Sequence, residues 1–204
     1  EKPGCLYKRF KAYVRFLHDK IYYKKTYVVN PEAVPADGTP CLIVSNHQNC
    51  MNDPLGLVTS FRDRKLHVIT RADVFMVSPV ADKFLRAIGL LPAFRLGYEG
   101  ESALGKNEET FRASEQALID GKTILMYPEA GYSFDGRTTA LPRKMGVLMK
   151  RLGVPVVTVI TEGAFARDPL YNMLQIRDVK VGAHVKCLAT AEEVKTKSVA
   201  ELDA

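Results

Sequence analysis

The sequence contains no run of 18 uncharged apolar residues, so a membrane-spanning helix is not expected within it. Its four cysteines, Cys5, Cys41, Cys50 and Cys187, form no C-x-x-C pair and stand at no histidine spacing suited to zinc. No metal centre is therefore expected. Three of the four lie in or beside apolar segments, which leads us to expect reduced, mostly core thiols, as in a cytosolic protein. There is no G-x-x-x-x-G-K-S/T loop to argue for nucleotide use, no internal repeat and no low-complexity segment.

What is present is enough for a real core: 204 residues, of which 47% are hydrophobic, suit one globular domain. The net charge of +6 becomes informative once it is located. Residues 1–26 carry eight Lys/Arg against Glu1 and Asp19, while the remaining 21 basic and 21 acidic residues cancel. In this stretch Leu6, Phe10, Tyr13, Val14, Leu17 and Ile21 recur at helical spacing, with Tyr7 and Tyr22 on the flanks and lysines and arginines on the other face. A basic, aromatic-rich amphipathic helix suits the interface of an anionic membrane. The plainer account is that its apolar face packs on the domain with solvated charges outside, and the two coexist if the helix packs at an edge. No nucleic-acid partner is expected.

Asn30 to Pro40 holds three prolines and reads as a turn-rich connector. Beyond it, short apolar runs alternate with amphipathic ones. Strands are predicted near 41–45, 66–70, 123–127 and 155–160, and helices near 54–62, 73–88, 106–120 and 142–152. Tyr27-Val28-Val29 adds a short strand, residues 179–188 alternate like a half-buried late one, and the polar tail from Glu192 is helix-like. Strands separated by helices imply crossovers, hence an α/β fold with a mixed, largely parallel sheet flanked by helices.

Where the first of these strands surfaces, a histidine and a carboxylate arrive together in Asn46-His47-Gln48-Asn49-Cys50-Met51-Asn52-Asp53-Pro54. Asp53 followed by Pro54 reads as a helix N-cap with proline at the first helical position. If the loop folds back, the same carboxylate meets one imidazole nitrogen, fixes the tautomer and leaves the other nitrogen to accept a proton. Downstream, Thr123-Ile124-Leu125-Met126-Tyr127 empties into Pro128-Glu129-Ala130-Gly131-Tyr132-Ser133, and between the two motifs Gly89-Leu90-Leu91-Pro92-Ala93-Phe94 ends on Arg95. Gly153 to Ile160 supplies a fourth apolar strand after a turn.

With these residues in this order, the chain resembles the glycerolipid acyltransferase family, the lysophosphatidic acid acyltransferase group, over roughly residues 40–165. The resemblance implies a mixed α/β domain, and the amphipathic arm is in keeping with it, so the chain is expected to divide into an arm at 1–29 and an acyltransferase domain at 30–204. It makes His47 the general base and Asp53 its partner, gives Arg95 the acceptor's phosphate, and places Glu129, Gly131 and Ser133 in a motif implicated in acceptor binding. Pro155 falls in an apolar block that the resemblance ties to the acyl donor site. Two departures stand out. The family's first motif has four residues between His and Asp where this chain has five, so the loop must bulge. In the third motif Ala130 replaces a glycine and Tyr132 occupies the arginine position. A cation for phosphate then comes from elsewhere, with Arg71, Arg137, Arg143 and Lys144 as candidates and Arg95 first among them, since an arginine fork binds phosphate bidentately.

The implied reaction moves a fatty acyl group from a thioester to the hydroxyl of a lysophospholipid, 1-acylglycerol 3-phosphate giving phosphatidic acid. Acyl-CoA or acyl-carrier protein is the donor, no bound cofactor is needed, and the setting is the cytoplasmic face of the membrane. A positioned base typically contributes about 10²–10⁴-fold in rate. Two other readings compete. One makes the chain a non-catalytic peripheral lipid-binding module, which leaves His47, Asp53, Arg95 and Glu129 as coincidences. The other makes Cys50 the nucleophile of a thioesterase or acylhydrolase. His67 and His184 are expected to be packed or solvated, His18 belongs to the helical arm, and Gly131 has the plainer account of permitting a positive φ.

Overall fold

A computed structural model describes residues 4–36, 38–49, 51–61, 64–93, 102–129, 131, 145–163 and 180–203, with only the backbone of 102–107. Among these the chain builds a sheet of seven strands: β1 (Lys25–Val29), β2 (Cys41–Ser45), β3 (Leu66–Arg71), β4 (Leu90–Ala93), β5 (Thr123–Met126), β6 (Val156–Glu162) and β7 (Lys180–Ala189). Their order across the sheet is β1-β7-β6-β2-β5-β3-β4. All neighbours are parallel except β6 and β7. The five strands from β6 to β4 therefore end at one edge, and the loops after β2, β3 and β5 emerge there together.

Helices cover both faces, as an α/β fold with a largely parallel sheet requires. One face, carrying Cys41, Ile43, Leu66, Val68, Leu125, Val157 and Val159, packs under α1 (Cys5–Leu17), α2 (Asn52–Ser60) and α3 (Pro79–Ala87) through Tyr7, Leu57, Val58, Leu85 and Ile88. The other face, with Leu42, Ile124 and Val156, packs under α4 (Ser102–Ile119), α5 (Met145–Leu152) and the short α6 (Ala191–Thr196) and α7 (Val199–Asp203). β2 lies near the centre, so four of its five residues are buried, and its continuous apolar run reflects cover on both sides. Each fully buried aliphatic side chain contributes about 1.5–3 kcal/mol.

Several expectations change. The helix predicted over 73–88 is divided: Ala72–Met76 forms a 3₁₀ turn and α3 begins anew at Pro79. Proline cannot donate to a preceding turn, whereas Ser78 can cap, and its Oγ accepts the Ala81 N–H at 3.1 Å. Residues 90–93, read as the apolar segment leading to Arg95, are a strand at the sheet's edge. Of the described cysteines only Cys41 is in the core, with Cys5 and Cys187 exposed. Burial pushes the Cys41 thiol above its usual pKa.

The basic N-terminal helix is apolar over a wider arc than the expected stripe. Tyr7, Val14 and His18 are buried against the body, while Leu6, Tyr13 and Phe16 on the adjoining arc are exposed. Tyr7 is the anchor. Its hydroxyl accepts the Leu66 N–H at 3.1 Å, and burial pushes its pKa up to about 12. Lys11 reaches the carbonyl of Phe61, tying the helix to the end of α2. Residues 25–29 then form β1, paired with β7 in the main sheet. That pairing depends on Gly182: a Cβ there would lie 2.5 Å from the Tyr27 ring.

Candidate active site

At the carboxyl end of β2 the chain turns sharply, and Asp53 draws the turn together. Its Oδ2 accepts from His47 Nδ1 at 2.8 Å, from the Gln48 N–H at 2.6 Å and from the Asn49 N–H at 2.7 Å. Between the two, the Asn52 N–H donates to Asn49 O at 2.9 Å and α2 starts at Asn52. Asp53 is not the N-cap the sequence suggested, because Met51 holds that position. Lying in the first helical turn, its carboxylate bonds backward to the loop. Its side chain is wholly buried and that of His47 is 17% exposed, so the imidazole sits at the rim with its partner beneath.

Two neighbours fix the ring further. The β2–β5 register pairs Val44 with Met126, and three residues on, it brings His47 level with Glu129, whose Oε1 accepts the His47 N–H at 3.2 Å. Tyr127 stacks on the imidazole with ring centroids 4.4 Å apart and planes 29° from parallel. The Tyr127 hydroxyl is buried, and desolvation, with the Asp53 charge adding to it, holds its pKa well above the usual value.

On the other side, Asn46 clamps β2 to β6. Its Nδ2 donates to Thr161 O at 3.0 Å, and its Oδ1 accepts from the Thr161 N–H at 2.7 Å and the Thr161 hydroxyl at 3.0 Å. Behind the loop, Asn52 Nδ2 donates to the Tyr23 hydroxyl at 3.0 Å, joining α2 to the residues after α1. Sequence reading gave no role to Asn46, Asn52 or Tyr127. The available signal was a polar amide directly after a buried strand, and an aromatic directly before Pro128-Glu129.

Three buried polar atoms around this loop, Gln48 Oε1, Asp53 Oδ1 and Tyr127 Oη, make no hydrogen bond among the described residues.

The other predicted residues fall as follows. Arg71 ends β3 at the same edge, and its exposed guanidinium is engaged by Asp73, with Nε 3.1 Å from Oδ1. Gly131 is described, and it is not among the residues with positive φ, so the turn explanation for it does not hold. Arg95, Ser133 and Arg143, with Cys50, Arg137 and Lys144, lie outside the described residues. His18 packs on Tyr23 at 5.3 Å, His67 is buried in β3, and His184 is half-exposed with Nε2 3.1 Å from Glu162. No group of three or more potential metal ligands occurs among the described residues.

A small cavity borders the pair, and a larger cleft lies elsewhere, beside the chain's N-terminal elements. The cavity, of about 20 Å³, touches Asp53, Asn52 and Thr161. The cleft, of about 600 Å³, runs between α1, β1 and the end of α2, and His47 does not line it. Unlike the cleft, the loop after β2 couples an imidazole to a wholly buried carboxylate, an arrangement that can hold one ring nitrogen protonated and leave the other basic.

A buried carboxylate holds an imidazole at the carboxyl edge of a largely parallel α/β sheet, a geometry that general-base chemistry can use. A sequence model of the acyltransferase family matches residues 25–162, and the chain belongs to that family. It is 25% identical over 164 residues to the chloroplastic 1-acyl-sn-glycerol-3-phosphate acyltransferase BAT2 of Brassica napus, covering 79% of this chain and 45% of that protein. To the chloroplastic LPAT1 enzyme of Arabidopsis thaliana it is 23% identical over 161 residues, covering 76% and 42%. The chain thus spans less than half the length of these curated relatives. The solved 1-acyl-sn-glycerophosphate acyltransferase PlsC of Thermotoga maritima shares the fold with a TM-score of 0.62 at 19% identity, over 97% of this chain and 78% of that one. Among the described residues, no helix is long and apolar enough to cross a membrane.

Proposed function

We propose that this chain transfers a fatty acyl group from a thioester donor, acyl-CoA or acyl-carrier protein, to the free hydroxyl of 1-acylglycerol 3-phosphate, giving phosphatidic acid. The observation that carries the reading is the 2.8 Å contact of His47 Nδ1 with the buried Asp53. With a proton held on Nδ1 toward the carboxylate, Nε2 is the basic nitrogen. It takes the acceptor's hydroxyl proton as the oxygen attacks the thioester carbonyl. The new ester C–O bond forms, the C–S bond breaks, and the thiolate leaves with the proton returned by the imidazolium. The reaction needs no resident metal or organic cofactor.

The tetrahedral oxyanion requires donors, and on this reading backbone N–H groups at the carboxyl edge supply them. On this reading Glu129, Gly131 and Ser133 serve acceptor binding, Arg95 takes the acceptor's phosphate, and Arg71 and Arg143 are the further cations offered by sequence. Glu129, bonded to the His47 backbone, also ties the acceptor motif to the base. The excess positive charge of residues 1–26 suits docking on an anionic membrane surface at the cytoplasmic face, where a lysophospholipid resides.

The test is thiol release from acyl-CoA in the presence and absence of lysophosphatidic acid. Turnover that requires the acceptor and falls about 10²–10⁴-fold in His47→Ala is expected. A folded His47→Ala protein with the parent's rate would remove His47 from the mechanism.

A further inference from the structure

Helix α1 is not alone in exposing apolar surface. In α3 no residue is fully buried, and Val80 is 79% exposed and Phe84 40% exposed. These two are four residues apart and so lie on one helical face. Met76 and Val77, leading into α3, are 65% and 78% exposed. On α1, Leu6, Phe10 and Tyr13 follow the i, i+4, i+7 spacing of a single stripe, with Leu6 49% and Tyr13 62% exposed. The two stripes meet, because the rings of Phe10 and Phe84 touch edge to face with centroids 6.0 Å apart.

The result is one apolar surface running from the N-terminal helix across α3. Lys8, Arg9, Lys83 and Arg86 are exposed on the same two helices, and all of the chain's excess positive charge lies in residues 1–26. A contiguous apolar patch with a basic border is suited to an anionic bilayer interface, where apolar side chains enter the acyl boundary and cations meet the headgroups.

We propose that α3 and the turn before it form a second membrane-docking element, continuous with α1 through the Phe10–Phe84 contact, and that its occupant is an anionic lipid surface. This rests on the membrane reading given above and adds an orientation to it. Met76 and Val77 leave from the carboxyl end of β3, the sheet edge that also carries His47. Docking on both helices therefore turns the sheet face they cover toward the bilayer, with Met76 and Val77 bringing the His47 edge close to it, whereas docking on α1 alone leaves the molecule free to tilt.

The whole chain contains no tryptophan, so single reporters are available. Val80→Trp reports on α3, and Leu188→Trp, half-exposed on β7 and distant in the strand order, is the control. On phosphatidylglycerol vesicles with brominated acyl chains, the Val80→Trp emission is expected to shift to the blue and be quenched, and that of Leu188→Trp to do neither. Val80→Asp is expected to lower vesicle partitioning by about tenfold, from the transfer energy of one valine, with turnover on detergent-dispersed acceptor unchanged. If the protein sediments with vesicles but the Val80→Trp emission is unaltered, the α3 element is refuted and docking by α1 survives. If no vesicle binding occurs at all, the membrane reading falls with it. A blue shift that grows with protein concentration in the absence of lipid would show that a second copy covers the patch, which also overturns the proposal.

Discussion

Replacing Asp53 separates the geometry of the site from its chemistry. In Asp53→Ala, one imidazole N–H and two backbone N–H groups lose the single oxygen that accepts all three. At about 1–3 kcal/mol per stranded donor the gross cost exceeds that of an ordinary substitution. Two effects reduce it: the unpaired Oδ1 is removed with the side chain, and His47, at the rim, regains water. A net loss of about 2–4 kcal/mol remains, which lowers Tm by roughly 5–15 °C for a chain of this size. Asp53→Asn keeps an oxygen for the backbone donors but removes the charge, so the imidazolium formed in the transition state loses its partner. Its stability should fall by about 1–2 kcal/mol, since charge-assisted bonds are roughly twice as strong as neutral ones, while turnover drops about 10³–10⁴-fold. Thermal denaturation and acceptor-dependent thiol release, run on the same preparations, give the two numbers. An Asp53→Asn protein that turns over within a few-fold of the parent would refute the role assigned to the carboxylate, whatever its Tm.

Other consequences follow from the same structure. Asn46→Ala removes three hydrogen bonds to Thr161 and should cost about 2–4 kcal/mol in denaturant unfolding, with turnover reduced because His47 is the next residue. Asn46→Asp should not restore it, since the Thr161 carbonyl needs a donor and would face a carboxylate instead; full recovery would show that the clamp is unimportant. At the C-terminal end, the Thr190 backbone N–H and then Lys197 hold the Glu193 carboxyl at a pKa of about 2, below the usual 4.5. Its contribution to α6 is therefore complete above pH 4.5 and lost as pH falls toward 2. Acid titration should fray α6 across that window in the parent, whereas Glu193→Gln should show no such pH-dependent step.

The sequence made the pairing of His47 with Asp53 legible before the details of its geometry. His47 and Asp53 were recognisable because a histidine and a carboxylate both follow a buried strand, and such strands announce themselves by continuous apolar residues. The direction of Asp53 was not legible. Asp-Pro reads locally as a cap, yet the loop offers two backbone N–H groups and an imidazole, and together these outcompete the helix's own first turn. Asn46 escaped notice because its partner, Thr161, is 115 residues away. Glu129 was legible as a motif residue but not as a ligand of the His47 backbone, a contact created by the pairing of β2 with β5.

Local pattern determined the elements: the α/β alternation, the late strand, the basic amphipathic helix and the loop that carries His47. These depend on side-chain periodicity and turn chemistry within a few residues, which the chain states directly. Tertiary structure decided the strand order, the parallel pairing of β1 with β7, which arc of α1 is buried, and the meeting of Phe10 with Phe84. Each of these is a choice among partners far apart in sequence that are similarly apolar, and hydrophobicity without direction cannot select one of them. Only the packed sheet, with its register fixed and both faces covered, brings His47, Asp53 and Glu129 to a common edge.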